Sequence, residues 1–169
     1  MTFAGINYWA VLVAAAIGFA FGGVWYRLLA QPWKAAHGFS TEQIRAHHGT
    51  GMAPWPLIIA LVADLIMAWM LAGMIGYLGD VTIKNGVISA AFIWFGFVIT
   101  TLVVNNTFGM RSAKLIAIDG GHWLAVLLLM GAIIGAWGGL KAPAVPTKVG
   151  PFAPCRARKR RRIIGPTRN

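Results

Sequence analysis

At 169 residues, 58% hydrophobic and 11% charged, the chain carries less than half the roughly 25% charged fraction of a soluble domain, which excludes a water-soluble fold. The formal charge of +11 belongs to one end, since six Lys/Arg and four acidic residues precede Leu140 and the other nine basic residues follow it. A single cysteine, Cys155, excludes an intrachain disulfide and a Cys-based metal site.

Four apolar runs are long enough for a bilayer core of roughly 30 Å. They cover about 8–29, 57–78, 87–106 and 121–140. In lipid such runs must be helices, because backbone groups there have no water to satisfy them, and the alternation of a barrel strand is absent. The expected fold is all-α: a four-helix transmembrane bundle with short connecting loops and a disordered C-terminal tail. The first run lacks a basic n-region and reads as a retained helix rather than a signal peptide.

Trp9, Trp25, Tyr26, Trp55, Tyr77 and Trp123 fall near span ends, as an aromatic belt requires; Trp69 and Trp94 lie deeper, as packing or lipid-facing residues. Small residues recur every four positions: Ala10, Ala14, Gly18 and Gly22; Ala68, Ala72 and Gly76; Gly131, Gly135 and Gly139. Such faces let helix backbones approach closely, within one bundle or between copies, so a homo-oligomer is open.

The first loop holds a capping-box pattern, Ser40 with Gln43, then the breakers Gly49, Gly51, Pro54 and Pro56. Its histidines, His37, His47 and His48, read as solvated, because no cysteine and only Glu42 could complete a zinc site. No metal, cofactor or catalytic motif is expected. The third loop is expected to run through "TFGMRSAKLIAIDGG". Residues 141–169 hold five prolines and a basic block, little of which can be buried.

Four spans put the first and third loops on one side and both termini on the other. The two loops carry five Lys/Arg, counting Arg27, against Lys84 in the second loop. The positive-inside rule then makes those loops cytoplasmic and the termini external. The basic tail argues the reverse, and on the cytoplasmic side it would contact anionic lipid. Nucleic acid is a poorer partner for a body this near neutrality.

Asp64 stands seven residues past Leu57, about 10 Å in from the loop-one side. On the same scale Thr100 and Thr101 lie about 8–9 Å deep, with Asn105 and Asn106 shallower. Arg27 closes the first span on this side, and Asp119 and His122 open the fourth. The polar residues of the spans are thus expected to converge in one half of the membrane. Asp64 then either binds a cation or relays a proton, with Arg27 or His122 as counter-group, or it hydrogen-bonds Thr100, Thr101 or Asn105 to hold the helices in register.

The stretches "FGGVWYRLLAQPW" and "RSAKLIAIDGGHWLAVLLLMGAIIGAW" resemble the signature of domain of unknown function family 1761 over about residues 5–140. The resemblance implies a small four-span bacterial integral membrane protein and no assigned activity. The tail after about Ala144 departs from that pattern and resembles an extension from a GC-rich reading frame. On the sequence alone a structural or accessory membrane protein is the favoured function. A small oligomeric transport or permeation component using the Asp64 cluster is the alternative, and a membrane enzyme using Asp64, or Asp119 with His122, is third.

Overall fold

The computed structural model describes residues 6–38, 40, 42, 43, 46 and 54–138. The tail, His47, His48 and Gly139 lie outside the described residues. Among the described residues five helices build the body: α1 (Tyr8–Leu28), α2 (Ala30–His37), α3 (Pro54–Leu78), α4 (Ile83–Phe108) and α5 (Ala113–Gly138). All but α2 are long and apolar enough to cross a membrane. At 21, 25, 26 and 26 residues, each exceeds the roughly 20 needed for a bilayer core. Among the described residues there is no strand.

Local chemistry sets the ends. The Asn7 side chain accepts from the Trp9 and Ala10 amides at 3.1 and 3.4 Å and so caps α1. Pro32 stops it, since a helix continued through Pro32 would drive the ring into the Leu28 carbonyl four residues back. The chain bends at Leu29 instead (φ −99°) and restarts as α2, where Pro32 falls in the first turn. Gly38 closes α2 at φ +72°, a conformation glycine adopts without strain. Thr82 caps α4 by accepting from the Asn85 amide at 3.2 Å. The expected capping box forms: the Gln43 amide donates to the Ser40 hydroxyl at 3.1 Å and the Ser40 amide donates to Gln43 Oε1 at 2.9 Å.

Two boundaries differ from the expectation. Pro54 and Pro56 lie in the first turn of α3 rather than ahead of it, where the missing N–H costs nothing. Helix α5 begins at Ala113, eight residues before Gly121, so the third loop shrinks to 109–112. Polar Asp119 is tolerated inside the helix because neighbouring side chains satisfy it, as described below.

Helix α5 is central and touches all four others. The hydrophobic core, including Ala14, Ala68, Ile75, Val126, Met130 and Ile134, occupies the half of the bundle nearer the termini. There α4 and α5 meet backbone to backbone: a methyl on Gly86 would strike the Gly131 carbonyl, and one on Gly135 the Thr82 carbonyl. Gly18 seats the Met130 side chain, with Met130 Cε 2.6 Å from where a Cβ would stand. The small-residue face of α5 is thus used within the chain.

Helix α4 contains a π-helical turn over Trp94–Val98, closed by the Ile99 amide donating to the Trp94 carbonyl five residues back. One extra residue turns everything beyond it by about 100°. Counted from buried Ala90 in a regular helix, Thr101 would point inward and Asn106 away. With the π turn Asn106 is buried, and Thr100 and Thr101 are exposed.

Candidate functional site

The polar half of the bundle separates into two groups. The first is a clamp around the start of α5. Trp25 of α1 donates its indole N–H to the Ile118 carbonyl at 3.2 Å, and Trp94 of α4 donates to the Gly120 carbonyl at 2.8 Å. Between them, Asp119 Oδ1 accepts from Tyr26 Oη at 2.9 Å and from Trp33 Nε1 of α2 at 3.2 Å. Four aromatic donors from three helices therefore converge on Ile118, Asp119 and Gly120. The glycines of "IDGGHW" make room for this: a Cβ on Gly121 would stand 3.4 Å from the Trp25 ring, and one on Gly120 would stand 2.8 Å from Ile99 Cδ1. Ser112 adds a further tie, its hydroxyl donating to the Ala36 carbonyl of α2 at 3.1 Å.

The second group is two further buried polar residues, Asp64 of α3 and His122 of α5. Asp64 opens the interior stripe of α3, followed at helical spacing by buried Ala68, Leu71, Ala72 and Ile75. It is 5% exposed and His122 is 6% exposed. Ten residues into α3 and nine into α5, they stand about 15 and 14 Å from helix starts on the same side of the bundle. Asp64 Oδ1 and His122 Nδ1 are fully enclosed and have no hydrogen-bond partner among the described residues. The imidazole is boxed by aromatic rings, with centroids 4.8 Å from Tyr26, 4.7 Å from Trp123 and 6.4 Å from Trp25. Its Nε2 edge rests on Gly22, 2.9 Å from where a Cβ would be.

The remaining residues of the expected cluster are elsewhere. Thr100 and Thr101 face outward and donate to carbonyls of their own helix, at 2.9 Å to Gly96 and 2.6 Å to Phe97. This back-bonding is how a hydroxyl is satisfied in an apolar setting without another helix. Asn106 is buried but donates to the Leu102 carbonyl at 2.8 Å, and Asn105 is exposed. Arg27 is exposed and forms no ion pair among the described residues. The residues expected around Asp64 are thus divided: Asp119 joins the clamp, Asp64 and His122 are buried, and Thr100, Thr101, Asn105 and Arg27 are exposed.

The belt assignment also changes. Trp9 and Tyr77 are 72% and 88% exposed, as interfacial rings are, whereas Trp25 and Tyr26 turn toward α5 and Trp123 packs partly buried against the core. Trp33, noted in the sequence only as part of the family motif, is the residue that fastens α2. Its signal was available in "WYRLLAQPW", which places Tyr26 and Trp33 seven residues apart, two turns of a helix. No three His, Cys, Asp or Glu side chains gather to hold a metal among the described residues. A crevice of about 500 Å³, lined by Pro32, Ala35, Ala36, Ser112, Ala113 and Lys114, lies at the surface between α2 and α5.

Fold and site together define a multi-pass membrane protein with a polar, aromatic-lined half. The chain belongs to the family described as protein of unknown function (DUF1761), whose model matches residues 9–135. That stretch contains both groups of the site. No curated protein and no solved structure matches the chain.

Proposed function

We propose that the protein is a small transport or permeation component of a bacterial cell membrane, working as an oligomer, with the first and third loops cytoplasmic and the termini outside. The observation that carries this is Asp64. An ionisable group at membrane depth costs at least about 2.5–3.5 kcal/mol on insertion scales. A scaffold would recover part of that through an interhelical hydrogen bond, of about 0.6–2 kcal/mol. Asp64 Oδ1 makes none, and the hydroxyls and amide that could supply one are committed to their own helix. A retained cost of this kind supports a group kept free to bind something.

The test is flux into proteoliposomes containing the full chain. Asp64→Asn, nearly isosteric, should abolish the flux while gel-filtration volume and tryptophan emission stay at wild-type values. Wild-type vesicles as tight as empty ones to every solute tried would refute the reading.

A structural or accessory role is the second reading. It is favoured by α4, the least covered of the spans, where Phe92, Phe95 and Phe97 are at least 70% exposed and a methyl on Gly96 would meet nothing within 4 Å. A partner helix could lie there. In that case crosslinks placed at Phe95 should trap a second protein and Asp64→Asn should be silent.

A further inference from the structure

We propose that the crevice between α2 and the start of α5 binds the phosphate headgroup of an anionic phospholipid, with Lys114 and Arg111 as the cations that hold it.

The crevice follows from the two ties that set α2 against α5. Trp33 reaches Asp119, and Ser112 reaches the Ala36 carbonyl. Beside these fixed points the lining residues include Pro32, Ala35, Ala36 and Ala113, whose side chains are too short to close the gap. The hollow of about 500 Å³ that remains has Lys114 on its wall. A second, of about 460 Å³, shares Ala35, Ala36 and Ser112 with the first and has Arg111 on its wall. Gly109 makes room for that side chain: Arg111 Cγ and Nε are each 3.7 Å from where a Cβ on Gly109 would stand. The two hollows form one trough with a small-residue floor and a cation on each half.

Charge and position select the occupant. Among the described residues at this end, Arg27, Lys34, Arg111 and Lys114 are matched by only two exposed or half-buried acids, Glu42 and Asp119. Asp119 is already engaged by Tyr26 and Trp33. Neither Arg111 nor Lys114 forms an ion pair among the described residues. The trough lies where α4 ends and α5 begins, the level of the headgroups for helices that span a bilayer. Phe108 and Met110, close to Arg111 in the same turn, are 85% and 94% exposed. Apolar side chains presented beside a guanidinium suit a ligand with acyl chains next to its phosphate, rather than an anion in water. The unesterified phosphate oxygens match the paired N–H groups of Arg111 and the point charge of Lys114. Basic pockets at this level are a recurrent means of holding anionic headgroups.

The test uses the full chain in neutral detergent, titrated with phosphatidylglycerol or phosphatidylcholine, with bound lipid counted by native mass spectrometry. Each Lys or Arg near a headgroup contributes about fivefold in affinity. Wild type should therefore prefer phosphatidylglycerol by about 25-fold or more, and Arg111→Gln with Lys114→Gln should weaken that lipid by about 25-fold. The basic tail is common to every variant, so the difference between variants reads the trough. Lys84→Gln, at the opposite end of the bundle, should match wild type. Ala35→Leu keeps every charge and fills the trough from an exposed position; it should bring the same loss as the charge variant. Wild-type binding by Ala35→Leu would mean diffuse surface attraction and would overturn the site. Displacement of the lipid by an excess of inorganic phosphate would overturn the lipid as its source. Equal retention of the two lipids by wild type would overturn the proposal outright. Should a variant fail to fold, wild type is crosslinked to phosphatidylglycerol carrying a photoactivatable headgroup. Adducts should map to residues 32–36 and 109–114, and adducts confined to other segments would overturn the assignment.

Discussion

Replacing Gly86 with alanine places a methyl group against the Gly131 carbonyl. The obstacle is backbone in the middle of a 26-residue helix, not the end of a flexible side chain, so α4 and α5 must separate to admit it. Overpacking of this kind costs about 1–3 kcal/mol. The gain from alanine over glycine in a helix is about 0.8–1 kcal/mol at most, so the net should remain a destabilisation of up to about 2 kcal/mol. Gly23 is the control: a Cβ there meets nothing within 4 Å, so Gly23→Ala should be neutral or slightly stabilising. Unfolding in mixed micelles, followed by tryptophan emission, reads both. Gly131→Ala opens the same contact from the other side, so the double mutant should lose less than the two singles combined. Gly86→Ala as stable as Gly23→Ala would refute the close approach of α4 and α5.

Other outcomes follow from the clamp, the π turn and the imidazole seat. Trp33→Phe keeps the ring and removes an N–H to a carboxylate, worth about 1.5–3 kcal/mol. It should release α2, seen as faster amide exchange over Ala30–His37, and unchanged protection there would mean Trp33 is not the fastening. Thr101→Val should leave stability within about 0.5 kcal/mol, because its hydroxyl serves only its own helix; a larger loss would mean Thr101 faces the interior. Gly22→Ala should displace the imidazole and cost about 1–3 kcal/mol, with the shift read from the His122 ring resonances. Unmoved resonances would count against the seat.

The transmembrane helices were legible because membrane depth leaves the backbone few alternatives. Their limits were less so. Proline reads as a breaker and Asp119 as part of the third loop, yet Pro54 starts a helix and Asp119 sits inside one once aromatic donors reach it. Asp64 was legible too, since Ala68, Leu71, Ala72 and Ile75 repeat its face. Its neighbours were not. A count of 3.6 residues per turn brings Thr101 inward, and nothing in "WFGFV" announces that one turn is wider. The tryptophans were hidden for another reason: a ring near a span end fits a headgroup or a carbonyl equally well, and only the tertiary structure separates the two.

The wide turn at Trp94–Val98 also gives α4 two phases. Ahead of it the helix is phased by the Gly86–Gly131 contact, and beyond it by buried Asn106. One added residue thereby lets a single helix meet two demands that a regular helix could not meet together: glycine against backbone at one end, and a buried amide at the other.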